Sequence, residues 1–202
     1  MNDGSLIVVI DDNESVRSSL RALLETSGLA VRDYPSAVAY LDDKAGGDCV
    51  LVDIRMPRMT GLELQQELNK RNSTVPVIVM TGHGDVPLAV TAMRAGAFDF
   101  LEKPFDDEVL VDSIRRALAE GRKTRQTQTE SRAAAALIAA LTSREHEVLD
   151  HLVLGKSNKL IAHELGISPR TVETHRARLQ EKLKARGLSD LVRLTRAMDQ
   201  LH

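Results

Sequence analysis

The sequence predicts an α/β domain built on a five-stranded parallel sheet, followed by a small all-α domain. Three observations point there. Short β-branched runs alternate with amphipathic stretches as far as about residue 120, the pattern of strands joined by crossover helices. Beyond Leu141 the strand-like runs stop, and helix starts and stops take over. Charge divides along the same line: residues 1–120 hold 12 Lys and Arg against 20 Asp and Glu, residues 121–136 hold 4 against 1, and residues 137–202 hold 11 against 8. A first part with a net charge of −8 does not seek nucleic acid, whereas a small basic end can.

Length and composition agree with two soluble domains. The chain has 202 residues, 43% hydrophobic and 28% charged, a balance that excludes disorder throughout. The longest apolar runs, Leu6–Ile10 and Ala133–Leu141, fall short of the ~18 residues a membrane span needs. The start MNDGS lacks the basic flank of a signal peptide, so the expectation is a cytoplasmic protein with no membrane partner. Cys49 is the only cysteine, which excludes an intrachain disulfide and a Cys-based metal cluster. Within the run DCVLVD it reads as a small core residue.

In chain order, the candidate strands are LIVVI (6–10), LAVRDY (29–34), CVLVD (49–53), VPVIVMT (75–81) and FDFL (98–101). Between and after them, helical spacing joins Val16, Leu20, Leu23 and Leu24, then Val86, Val90 and Met93, then Leu110, Ile114 and Leu118. Thr60 and Glu63 form a capping-box pattern that starts a helix after the third strand. The stretch AEGRKTRQTQTESRAAAA (119–136) is polar but rich in helix formers, so it is a connector that is either a semi-rigid helix or a flexible spacer. The expected organisation is a domain over 1–120, a connector over 121–138 and a second domain over 139–202. In the latter, Thr142 and Glu145 repeat the capping box, Gly155 is a stop, and Gly166, Ser168 and Pro169 read as turn, N-cap and first helical residue. About four short helices result.

Ligands of an open parallel sheet bind outside the carboxyl ends of its strands. Those ends carry Asp11 and Asp12, Asp53, Thr81 and Lys103. Taken singly, each suits a cap, a turn or a solvated charge. Together the carboxylates would repel one another unless a cation joined them, and a hard divalent ion such as Mg²⁺ does so with oxygen ligands. A carboxylate beside such an ion can act as nucleophile toward a phosphoryl group. Asp53 ends the middle strand and is the candidate acceptor. Asp11 and Asp12 would help to hold Mg²⁺, Lys103 would pair with the phosphate, and Thr81 would hydrogen-bond to it. The loop TGHGDVP lacks the Gly-Lys-Ser/Thr ending of a nucleotide-binding loop, and His83 reads as a loop residue.

The segments VIDD (9–12), LVDIRMPRMTGLEL (51–64), VMTGHGDVPLAV (79–90) and AGAFDFLEKPF (95–105) resemble the receiver domain of two-component response regulators, over residues 5–120 and in the family's order. The resemblance implies a flavodoxin-like fold and an aspartyl phosphate on Asp53. It also implies Mg²⁺ held by Asp11 or Asp12, by Asp53 and by the backbone carbonyl of Arg55. A histidine kinase would be the phosphodonor, the Lys103–Pro104 peptide would be cis, and Phe100 would be the switch aromatic.

Further on, KSNKLIAHELGISPRTVETHRARLQEKLKARG (156–187) places two helical patterns on either side of a glycine turn, the plan of a helix-turn-helix. On the second helix Val172, Arg176, Leu179 and Leu183 share one face. The opposite face carries Arg170, Glu173, Thr174, Ala177, Arg178 and Glu181, a mixture suited to a DNA groove. Residues 141–194, with TSRE, NKLIA and SPRTVETH, resemble the four-helix DNA-binding domain of the LuxR/NarL group, and the whole is similar to FixJ-type transcriptional regulators. The resemblance implies that a helix over about Pro169–Lys184 enters the major groove of double-stranded promoter DNA. Arg170, Thr171, Glu173, Thr174, Ala177 and Arg178 would then face the DNA, Lys159 and His175 would touch phosphates, and His163 would be structural.

The function expected is a phosphorylation-activated transcription regulator, an activator, with RNA polymerase among its partners. Phosphorylation adds about −1.5 to −2 charges at the strand rim and can draw Thr81 and its loop inward. By resemblance, the surface over about Val86–Leu118 then pairs two receivers into a homodimer. Pairing raises the effective concentration of the second DNA-binding domain at its half-site; release of an autoinhibitory contact is equally compatible. An Mg²⁺-dependent phosphatase acting through Asp53 and a constitutive DNA-binding protein are the alternatives.

Overall fold

In the computed structural model, which describes residues 4–43, 46–82 and 86–199, with Val86 described by its backbone alone, the first strand β1 is Leu6–Ile10. Helix α1 (Glu14–Thr26) follows. The pattern continues with β2 (Ala30–Tyr34), α2 (Ala37–Asp43), β3 (Cys49–Asp53), α3 (Gly61–Lys70), β4 (Val77–Thr81), α4 (Val86–Arg94), β5 (Asp99–Glu102) and α5 (Asp107–Ala139). His83 and Gly84 lie outside the described residues.

The five strands form one parallel sheet in the order β2-β1-β3-β4-β5. The chain therefore winds one way from β1 to β2 and the other way from β3 onward, which leaves a crevice at the carboxyl ends of β1 and β3. Strands β3 and β4 are buried along their whole length, as expected of strands covered on both faces, and this explains their unbroken apolar runs. Val8, Ile10, Val50, Val52, Val77 and Val79 face one core with Leu64 and Leu68 of α3. Ile7, Val9, Leu51, Ile78 and Met80 face the other, against Leu20 and Leu24 of α1 and Leu110, Ile114 and Leu118 of α5. Cys49 is fully buried in that second core, and burial raises its thiol pKa to about 12.

The strand limits differ from the sequence expectation by one or two residues, because Leu29, Val75 and Phe98 flank the ladder without being paired in it. The helical spacing expected around Val90 is found in α4. Val90 and Met93 have the expected helical spacing, yet they are 44% and 48% exposed. Amphipathic spacing shows that an apolar stripe exists but not that the fold covers it.

By contact density the chain divides into two units, Met1–Thr124 and Arg125–His202. The connector region is helical and belongs to α5. The second unit continues with α6 (Ser143–Val153), α7 (Asn158–Leu165), α8 (Pro169–Leu183) and α9 (Leu188–Asp199). Its core gathers Ile138, Val148, Leu149, Leu152, Ile161, Val172, Leu179, Leu183 and Leu191. The capping boxes at Thr60 and Thr142 have both reciprocal hydrogen bonds. Gly166 closes α7 in the left-handed conformation at φ 64°, where a side chain would be strained, and Ser168 caps α8 with Pro169 in its first turn.

Candidate functional sites

Two of the expected carboxylates meet at the crevice. Asp11 lies one residue past β1 and Asp53 ends β3. Lys103, just past β5, reaches between them, its Nζ donating to Asp11 Oδ2 at 2.6 Å and to Asp53 Oδ1 at 2.7 Å. The side chains of Asp11 and Asp53 are 2% and 12% exposed, and that of Lys103 is 21% exposed, so this ion pair lies largely out of water. Burial alone would lower the Lys103 pKa. The hydrogen bonds and charges of the two aspartates outweigh it and raise the ammonium above its ordinary value.

Backbone donors orient the remaining oxygens. Asp11 Oδ1 accepts from the Asn13 amide at 2.9 Å, and Asp53 Oδ2 accepts from the Arg55 amide at 2.8 Å. The cap of α1 is Asn13, whose side chain accepts from Ser15, which leaves Asp11 for the crevice. Arg17 carries no sequence motif, but its guanidinium donates to the Asp11 carbonyl at 2.9 Å and pairs with Asp33 at 3.2 Å. It braces the end of β1 from the first turns of α1. Thr81 ends β4 almost fully buried, and its carbonyl accepts from the Lys103 amide at 2.7 Å, tying the ends of β4 and β5 together. The Lys103–Pro104 peptide is cis. Phe100 is half-buried and packs against the core that holds Val79 and Ala92.

Asp12 does not join this group. It is exposed, and among the described residues no three of His, Cys, Asp and Glu are arranged to hold a metal ion. Of the three carboxylates at the strand ends, Asp11 and Asp53 are the two that Lys103 bridges. Past the end of β1, Asp11 is buried while the next residue, Asp12, is exposed.

In the second unit, Val172, Leu179 and Leu183 of α8 are buried, and Arg176 is half-buried with its guanidinium 3.4 Å from Asn158 Oδ1. Arg170, Glu173, Thr174, Ala177 and Arg178 are exposed together along the opposite face, Lys159 of α7 is exposed, and Thr171 and His175 are half-buried. The Nδ1 of His175 is buried without a hydrogen-bond partner. His163, expected to be structural, is exposed. Glu145 in the first turn of α6 is buried and accepts from Lys182 of α8 at 2.7 Å. That hydrogen bond, with help from the Thr142 amide, holds its pKa down at about 2. No motif reading in the sequence joins Glu145 to Lys182, 37 residues later.

Residues 7–115 match the model of the response regulator receiver domain, and residues 139–195 match that of the bacterial regulatory proteins of the luxR family. The chain belongs to the response regulators. It is 51% identical to the transcriptional regulatory protein FixJ of Azorhizobium caulinodans, over 92% of this chain and 89% of that one. It is 45% identical to FixJ of Bradyrhizobium diazoefficiens, over 93% of each. Among solved structures it is similar to the response regulator StyR, with 38% identity, TM-score 0.81 and coverage of 96% of this chain and 99% of that one. Full-length FixJ from B. japonicum is also similar, with 43% identity, TM-score 0.60 and coverage of 98% of both chains.

This response regulator therefore joins a receiver to a LuxR-family DNA-binding domain and acts as a phosphorylation-activated regulator of transcription. Receiver domains generally bind Mg²⁺ at their phosphorylation site, and the donors here fit that ion. They are carboxylate oxygens, the ligands of a hard cation, which takes one or two carboxylates from a protein and completes its shell with water and phosphate. Among the described residues no helix is long and apolar enough to cross a membrane.

Proposed function

We propose that Asp53 of this response regulator is the residue that accepts a phosphoryl group, from the phosphohistidine of a sensor kinase. An Asp53 carboxylate oxygen forms the new O–P bond as the donor P–N bond breaks. The observation that carries this reading is the Lys103 ammonium shared by Asp11 and Asp53 at the topological switch point. A positive charge beside the Asp53 carboxylate would offset charge on the transferred group.

The residues that would hold Mg²⁺ are Asp11 or Asp12, Asp53 and the Arg55 carbonyl. Bound there, the ion would neutralise phosphoryl oxygens and help to orient the donor. Lys103 keeps Asp53 oriented before transfer and pairs with the phosphate after it. Thr81 would hydrogen-bond to the phosphate, and Phe100 would follow its movement inward. The receiver thus catalyses only its own phosphorylation and dephosphorylation.

Arg170, Thr171, Glu173, Thr174, Ala177 and Arg178 on α8 would face the major groove of promoter DNA, with Lys159 and His175 against phosphates. Phosphorylation would pair receivers, release the DNA-binding domain, or do both. In the cytoplasm such a protein would activate transcription together with RNA polymerase. A small phosphodonor such as acetyl phosphate, given with Mg²⁺, should add one phosphoryl group at Asp53 by peptide mass spectrometry and strengthen selective DNA binding. A modification that survives in Asp53→Asn would refute the assignment.

A further inference from the structure

The apolar contacts of α8 hold it down without aiming it. Val172, Leu179 and Leu183 are buried, and burial of this kind is non-directional. Reading bases, in contrast, requires the exposed face to be placed to within about 0.5 Å and 10–20° of its working geometry. Directional contacts must supply that; beside the long hydrogen bond of Arg176 to Asn158 at 3.4 Å, they come from a single turn of α6.

At the start of α6, Arg144 Nη2 donates to the carbonyl of Leu165 at 2.7 Å. Leu165 is the last residue of α7, immediately before the left-handed Gly166 of the turn that leads to α8. Glu147 accepts from the other side of the same guanidinium, so the fork of Arg144 is held from both ends. The adjacent Glu145 accepts from Lys182 Nζ at 2.7 Å, and Lys182 lies in the last turn of α8. Neighbouring residues of one helical turn thus fasten the turn before α8 and the far end of α8, which at 15 residues is about 22 Å long. The Glu145 carboxylate is buried and doubly committed, since it also accepts from the Thr142 amide at 2.8 Å. Its position is therefore set by the start of α6 before Lys182 reaches it.

We infer that Arg144 and Glu145 are positioning residues for sequence reading: they set the tilt and roll of α8 from its two ends, so that its exposed face meets the bases in one alignment. Neither residue needs to touch DNA. Phosphate contacts supply affinity without sequence information, whereas bidentate base contacts supply the discrimination and depend on alignment. Loosening either fastening therefore lowers the preference for one sequence over another while leaving general affinity for DNA in place.

The test uses the full-length protein treated with phosphodonor and Mg²⁺, and two duplexes: one selected by the wild type from a random pool, and a shuffled duplex of the same composition. Arg144→Gln, Glu145→Gln and Lys182→Met are compared with the wild type. Glu145→Gln retains a side chain able to complete the capping box, and Lys182→Met changes a half-exposed position, so folding is spared by at least one route. The expected result is a fall of about tenfold in the affinity ratio between the two duplexes, about the worth of one misaligned base contact. Affinity for the shuffled duplex and the slope of binding against salt should stay as in the wild type, and Lys182→Arg should restore the ratio. Leu179→Ala, which only destabilises the core, should weaken both duplexes by the same factor. An unchanged ratio in all three variants, or an equal loss on both duplexes, would overturn the inference. Absence of any selective binding by the wild type would instead remove α8 as a sequence reader, and the positioning role with it.

Discussion

Replacing Lys103 with methionine tests the crevice directly, because it removes the charge while keeping an unbranched chain of similar length. The two carboxylate oxygens that share its ammonium at 2.6 and 2.7 Å can lie no more than about 5.3 Å apart, the two distances laid end to end. Without the ammonium, two unit charges at that separation repel by about 3 kcal/mol at an effective dielectric constant of about 20. Breaking a largely buried ion pair from one side typically costs about 3–5 kcal/mol, less where part of the site meets water, as at Lys103. The receiver unit of Lys103→Met should therefore be about 2–4 kcal/mol less stable than that of the wild type at pH 7 without divalent ions.

Urea unfolding followed by tyrosine fluorescence measures this unit alone, since the chain has no tryptophan and its two tyrosines are Tyr34 and Tyr40. Tyr34 pairs with Ile10 in the sheet, and its carbonyl accepts from the Asp11 amide, so the probe sits beside the perturbed site. Adding Mg²⁺ should return much of the loss, because an ion held by Asp11 and Asp53, as proposed, would take over the missing charge, and the gain should exceed that of the wild type. A stability within about 0.5 kcal/mol of the wild type, the range of an ordinary surface change, would refute the reasoning. So would a deficit that Mg²⁺ leaves untouched. The raised Lys103 pKa adds a pH signature. Its contribution is complete below the ordinary value of 10.5 and is lost as pH rises through the higher folded value, so alkaline solution should erode the wild type toward the variant.

Other consequences follow from particular contacts. A Cβ at Gly61 would come within 2.6 Å of the Asp53 carbonyl oxygen and 3.2 Å of Ile54 Cα, so Gly61→Ala should displace the end of β3, destabilise the receiver by about 1–3 kcal/mol and slow phosphorylation of Asp53, measured by mass spectrometry. Because Glu145 has a folded pKa of about 2 against an ordinary 4.5, its contribution is complete above the ordinary value and fades as pH falls toward 2. With allowance for solvent around the half-exposed Lys182, Glu145→Gln should cost the helical unit about 1–2 kcal/mol at pH 7 and almost nothing at pH 2. Circular dichroism, read against the tyrosine signal, measures it, and a difference independent of pH would contradict the ion pair. Leu179 is fully buried in α8, and truncation to alanine should cost about 2–5 kcal/mol by chemical unfolding of the helical unit. If the exposed Arg178 meets a phosphate, Arg178→Ala should lower the slope of log affinity against log salt by about 1; an unchanged slope would remove it from the phosphate contacts.

Much of the receiver was legible because its signals are local. A short, mostly β-branched run such as VIVMT, repeated between amphipathic stretches, reads as a covered strand of an α/β pattern, and the residues that end such strands are drawn to one rim whatever lies between them. For that reason Asp53, Thr81 and Lys103 could be singled out before any coordinates. The capping boxes at Thr60 and Thr142 and the turn at Gly166 were legible for the same reason, since each is a hydrogen-bond pattern completed within a few residues. Burial was less legible. The stripe containing Val90 and Met93 has the spacing of a core face and is exposed, because periodicity describes a helix and not the surface opposite it.

The sequence by itself determined the class of each unit, the order of its elements and the residues at the strand ends. Only the tertiary structure decided which of these meet. It turned Asp11 inward and left Asp12 exposed, and it placed Lys103 across the crevice from partners 92 and 50 residues away. It also joined Arg144 to Leu165 and Glu145 to Lys182, pairs that no motif connects. The physical reason is range. Propensity, capping and hydrophobic period act over a few residues and are written in the local chain. Ion pairs between distant segments exist only once the crossover topology and the packing of whole helices have brought their ends within about 3 Å of each other.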